Sequence, residues 1–145
     1  MKTRKGKDLE TSAKAAFFEK MAQTIDYYLA EEQYLSAYVV AFSFLEDRVG
    51  ALYAERCRVD GVAPATNPKF VEQIHQLQGA GDLPPRLASA CLAKNGQRNQ
   101  LFHNAMWNLD GFTEKAAKAV LQVARQANNA RTRQQRAFAK SEAAA

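Results

Sequence analysis

The chain has little of what staples or interrupts a fold. Its 145 residues include two cysteines, four prolines, seven glycines and two histidines. Two distant cysteines, Cys57 and Cys91, make neither a disulfide framework nor a zinc quartet, so a reducing compartment is the default expectation. Scarce proline and glycine leave helices free to run long. No apolar run is long enough to span a bilayer. The basic start, Met1-Lys2-Thr3-Arg4-Lys5-Gly6-Lys7, is not followed by the apolar stretch of a secretory signal. These absences exclude a disulfide-built miniprotein and predict a soluble, cytoplasmic chain with no membrane partner.

What remains suits one globular domain. Hydrophobic residues make up 47% and charged residues 24%. A chain of this length can bury an adequate core by itself. The net charge of +5 is uneven: residues 1–7 carry +4, residues 112–145 carry +5, and the segment between carries −4. Basic ends around a mildly acidic body suit a polyanion such as RNA, and serve equally to keep a protein soluble.

Hydrophobic spacing predicts an all-α protein, an up-down bundle of four to five helices. Phe17, Phe18, Met21, Ile25, Tyr28 and Leu29 form one helical stripe, with Thr11 or Ser12 as its expected cap. Glu31-Glu32-Gln33 marks a turn. Leu35, Tyr38, Val39, Phe42, Leu45, Val49, Leu52 and Tyr53 form the strongest stripe, which ends near Arg58 before Asp60-Gly61. Asn67-Pro68 reads as the start of a short third helix carrying Phe70, Ile74 and Leu77. Gly79 and Gly81 end it. Asp82 is the expected cap of a fourth helix with Leu87, Cys91 and Leu92 inside. Asn95-Gly96 is expected to weaken that helix before it resumes over Gln97 to Trp107. Asn108 to Gly111 reads as a turn, and the last helix carries Phe112, Ala116, Val120, Val123 and Ala127. The domain plan is a basic segment 1–11, a helical bundle 12–127, and a basic Ala/Gln/Arg-rich tail 128–145, either a projecting helix or disordered.

Two histidines make the search for chemistry short. His75 lies in Glu72-x-x-His75, half of a carboxylate-bridged di-metal motif. The second half is missing, because Gln100 stands three residues before His103. His75 therefore reads as an ordinary helix residue.

His103 follows Arg98 by five positions. An imidazole, with a reference pKa of about 6.5, gives or takes a proton at neutral pH. A guanidinium holds its charge and grips a phosphate with two prongs. Together they can cleave RNA without a metal: the base takes the 2′-hydroxyl proton and the cation stabilises the phosphorane. Helix geometry gives mixed support. Five residues turn about 140°, so Arg98 and His103 do not share a narrow face. Asn99 and His103, four apart, do.

Arg98-Asn99-Gln100-Leu101-Phe102-His103 resembles the R-N-x-x-x-H form of the HEPN motif (higher eukaryotes and prokaryotes nucleotide-binding). Three features match around it. The motif lies late, on a helix preceded by the short Phe70-Val71-Glu72-Gln73-Ile74-His75-Gln76-Leu77 helix. An earlier long helix carries Ala41-x-x-x-Leu45-Glu46. A charged helix closes the domain. The resemblance covers roughly residues 12–127.

The resemblance implies a metal-independent endoribonuclease without a cofactor, leaving 2′,3′-cyclic phosphate and 5′-hydroxyl ends. His103 would be the general base or acid, Arg98 the phosphate ligand, and Asn99 the residue that orients the pair or the RNA backbone. It also implies a homodimer whose motif helices meet, with Leu101, Phe102, Met106 and Trp107 divided between core and dimer contact. An antitoxin or regulatory protein is a further implied partner, in a toxin–antitoxin, phage-defence or RNA-processing setting. One departure narrows this. Many HEPN toxins carry a tyrosine two residues after the histidine, modified by adenylylation, where this chain has Ala105. The alternative is a non-catalytic HEPN-like module that binds RNA or a protein. A third reading is a monomeric bundle with an accidental motif.

Overall fold

A computed structural model describes residues 4–105 and 107–144, with side chains from residue 16 onward. It contains five α-helices and, among the described residues, no strand: α1 (Arg4–Ala30), α2 (Tyr34–Asp60), α3 (Phe70–Gly79), α4 (Pro85–Asn104) and α5 (Glu114–Ala144). They form an up-down bundle. α2 is its axis, packed against α1, α3 and most extensively α5. α4 leans on α3 and, more lightly, on α5.

The α2 stripe is the core. Tyr38, Leu45, Val49 and Leu52 are fully enclosed, in one core cluster with Val120 and Ala124 of α5 and Ile25 of α1. Burial of each large apolar side chain contributes about 1.5–3 kcal/mol. The helix stops at Gly61, whose φ of 68° puts it in the left-handed region, and its N–H caps the Arg58 carbonyl. The α1–α2 turn at Glu31 to Gln33 is tight, with Glu32 at φ 58°.

Several boundaries differ from those the sequence predicts. α1 already runs at Arg4, so Thr11 and Ser12 lie inside it rather than capping it. No proline interrupts this stretch, and Lys, Leu and Glu are good helix formers. Asn67 has φ 49°, which a capping residue cannot use, and α3 begins later, at Phe70. Its first turn is closed by Glu72, whose carboxylate accepts the Lys69 N–H at 3.3 Å. Asp82 caps nothing; its carboxylate is forked by Arg56, at 2.7 and 2.9 Å, and Pro84 stands at the cap of α4.

α4 passes through Asn95-Gly96 without a break. A helical glycine costs about 1 kcal/mol, which packing on both sides of it, at Cys91 and Leu101, overrides.

Residues 128–144 are helical. They continue α5 and lie along α2, with Ala130 and Gln134 buried. Gln134 donates from Nε2 to the Leu52 carbonyl at 3.0 Å. The Arg56 guanidinium sits 4.9 Å from the centroid of Phe138, and Arg58 pairs with Glu142 at 3.3 Å. Both cysteines are buried free thiols, and burial pushes the Cys91 thiol up to about 12.

Candidate functional site

α4 reaches the motif with two different sides. Its N-terminal half buries Leu87, Ala88 and Cys91. Continuing that inward phase along the helix brings Arg98 to the same side. Arg98 is accordingly half-buried, whereas Asn99 and His103 are exposed. No hydrogen bond or ion pair joins Arg98, Asn99 and His103 among the described residues. Within one chain the structure therefore separates the arginine from the other two, as the helical turn requires.

Arg98 has an aromatic seat. Its guanidinium carbon lies 4.9 Å from the centroid of Phe42 and 5.8 Å from that of Phe102. Both are within cation–π range, where the attraction is about 0.5–2 kcal/mol. Phe102 also meets Phe112 edge-on at 5.2 Å, and Phe112 meets Tyr38 at 5.4 Å. Phe42 stacks on Tyr38 at 6.4 Å. The seat is thus built by α2, α4 and a residue just before α5. Thr113 closes the start of α5, its hydroxyl accepting the Ala116 N–H at 3.1 Å.

The Tyr38 hydroxyl beside this seat is buried with no hydrogen-bond partner among the described residues, as is Gln97 Oε1 on α4. Burial raises the Tyr38 phenol above its ordinary range, and the Arg98 charge pulls part of that back. Nor does Arg98 have a carboxylate or other hydrogen-bond partner among the described residues. Its five N–H donors are held in place by rings, which leaves them open to an anion.

Tyr38, Phe42 and Phe112 are the residues around Arg98 that motif reading misses. The α2 stripe places Tyr38 and Phe42 in the core, and the one hint of more is a hydroxyl on an otherwise apolar face. Leu101 packs against the core, and Met106 lies outside the described residues. Trp107 is 87% exposed, beside exposed Phe102 and Leu109. Leu35 and Val39 of α2 are exposed as well.

His75 and Glu72 are exposed on α3. Among the described residues no three His, Cys, Asp or Glu side chains gather as metal ligands would. No described helix is long and apolar enough to cross a membrane. No protein-family model, curated protein or solved structure matches the chain.

Proposed function

We propose that the chain is a HEPN-type endoribonuclease that cleaves RNA without a metal. The observation that carries the reading is Arg98: a half-buried guanidinium on two aromatic rings, with its donors uncommitted, five residues before an exposed histidine. A fixed cation with free donors suits a phosphate, and an exposed imidazole suits proton transfer to and from solvent-delivered RNA.

In the reaction, His103 takes the proton of a 2′-hydroxyl. The freed oxygen attacks the adjacent phosphorus. Arg98 bonds the non-bridging oxygens as negative charge builds on them, and the 5′-oxygen leaves with a proton returned by the protonated imidazole of His103, in the same or the partner protomer. The products are a 2′,3′-cyclic phosphate and a 5′-hydroxyl. Asn99 shares the exposed face of His103 and orients it or the RNA backbone.

The opposed directions of Arg98 and His103 favour a site completed by a second copy. A twofold contact between motif helices brings the arginine of one protomer towards the histidine of its partner. Exposed Trp107, Phe102 and Leu109 at the end of α4 supply apolar surface for that contact. A toxin or defence role follows for such an enzyme, with Ala105 removing the tyrosine through which many HEPN toxins are modified.

The test is incubation of total cellular RNA with purified protein in excess EDTA, beside His103→Ala, with product ends mapped. Cyclic phosphate ends from the wild type alone are expected. A folded dimer that cleaves no RNA class would support the second reading, a non-catalytic module that binds RNA through the Arg98 seat.

A further inference from the structure

The outward face of α5 is a long basic strip. From Lys115 to Ser141 the helix has no Asp or Glu at all. Its buried side carries Val120, Ala124 and Ala127. The opposite side presents Lys115, Gln122, Gln126, Arg133 and Lys140, with Arg125 and Arg136 at its edge, all exposed. Arg131 is the exception. It turns inward to Glu55 and Gln134, and desolvation lowers its pKa.

The strip faces a groove. Between α4 and α5 lies a depression of about 510 Å³ with Leu87, Ala90 and Val123 as its floor. Arg86 and Arg133 stand on its walls, with Gln122, Gln126 and Asn129 between them. No acid pairs with Arg86, Arg125, Arg133 or Arg136 among the described residues. Cations for phosphate, amides for sugar hydroxyls and base edges, and an apolar floor make a surface complementary to a polynucleotide strand.

We infer that the α4–α5 groove and the outer face of α5 hold the sugar–phosphate backbone of RNA several nucleotides away from Arg98. The inference rests on the RNA-cleaving reading of the motif but concerns a different surface. Arg86 and Arg98 are twelve residues apart on α4, about 18 Å along the axis. That distance spans about five phosphates at the ~3.4 Å spacing of a stacked strand. The groove therefore governs long substrates and leaves a dinucleotide untouched.

The experiment is fluorescence anisotropy of a labelled 20-nucleotide RNA over a salt series. It uses the full chain carrying His103→Ala, with and without Arg86→Ala, Arg133→Ala and Arg136→Ala together. All three positions are exposed on helices, where alanine is well tolerated, and thermal melting confirms that the variant folds. The expected result is at least a tenfold loss of affinity. The slope of log affinity against log salt should become shallower by about two, at ~0.7 for each single-strand phosphate that the protein no longer neutralises. Unchanged affinity and slope would overturn the inference, even if the wild type cleaves RNA. Polyglutamate bound more tightly than RNA would also overturn it and assign the face to an acidic protein. Weakened binding by the triple variant, in a protein that never cleaves, would keep the groove and sink the nuclease.

Discussion

Three arginines among the described residues lie on aromatic rings; Arg48, over Phe18, pairs with Asp47, and the other two, Arg56 and Arg98, differ most in what else they touch. Arg56, near the end of α2, stands over Phe138 and is forked by the Asp82 carboxylate, with Asp60 a turn away. Arg98, on α4, stands over Phe42 and Phe102 and has no acid beside it among the described residues. In the first case the charge is answered inside the protein, and the pair ties the α3–α4 turn to α2 and the end of α5. In the second the protein supplies position without neutralisation. A cation held still and left unanswered is prepared for a ligand, whereas an answered one is part of the frame.

The largest effect expected from this contrast is on activity. Arg98→Ala and His103→Ala should each lower RNA cleavage by about 10²–10⁴-fold. His103 is exposed, so its loss should change stability by less than about 0.5 kcal/mol. Loss of cooperative unfolding in His103→Ala would mean that the residue belongs to the frame instead.

The reverse pattern is expected at the other arginine. The Asp82 side chain is 6% exposed. Asp82→Ala should cost about 1–3 kcal/mol in denaturant unfolding, because it removes the fork and leaves the mostly covered guanidinium only the longer Asp60 contact. Its effect on cleavage per folded molecule should be small. A stability loss below about 1 kcal/mol would remove the fork from the forces that hold α3, α4 and α5 together.

Tyr38→Phe sharpens the comparison at a smaller scale. The hydroxyl is buried without a partner among the described residues, so its removal should leave stability unchanged or raise it by up to about 1 kcal/mol. A clear destabilisation in thermal melts would show that the hydroxyl is bonded in solution.

The effect with no trace at neutral pH is on alkaline stability. The Cys91 thiol is held up to about 12 in the folded chain against an ordinary 9.0. Between those values the unfolded chain has lost the proton and the folded chain keeps it, so stability falls as pH rises from 9 towards 12. Cys91→Ala should flatten that decline, measured by urea unfolding across the range. An unchanged slope would place the alkaline sensitivity elsewhere, with Tyr38 next in line because its phenol is raised too.

The parts of the molecule legible in the sequence are those with a strong period. Tyr38, Phe42, Leu45, Val49 and Leu52 recur so regularly that α2 and its buried side follow directly, and Gly61 ends it where a left-handed residue is needed. The tail is opaque because Ala130, Gln134 and Phe138 form a stripe of small, polar and widely spaced residues. A buried glutamine becomes favourable only because the Leu52 carbonyl is there to accept from it. Asn95-Gly96 misleads because local propensity is outweighed by packing on either side. The motif's residue types are readable, but the partners of Arg98 are not. Leu87 and Cys91 set the phase of α4, and the 140° turn parts His103 from Arg98, but nothing in the chain shows that the guanidinium comes to rest over Phe42.

Everything proposed for the motif depends on Arg98 being free to bind an anion while Arg56 is not. The most direct measurement is the side-chain Nε–H signals of both arginines by ¹⁵N-resolved NMR, titrated with a 2′,3′-cyclic nucleotide. The expected result is a saturable shift of the Arg98 signal, abolished in Phe42→Leu because the rings hold the guanidinium in place, with Arg56 unmoved. An Arg98 signal indifferent to the nucleotide at every concentration would contradict it.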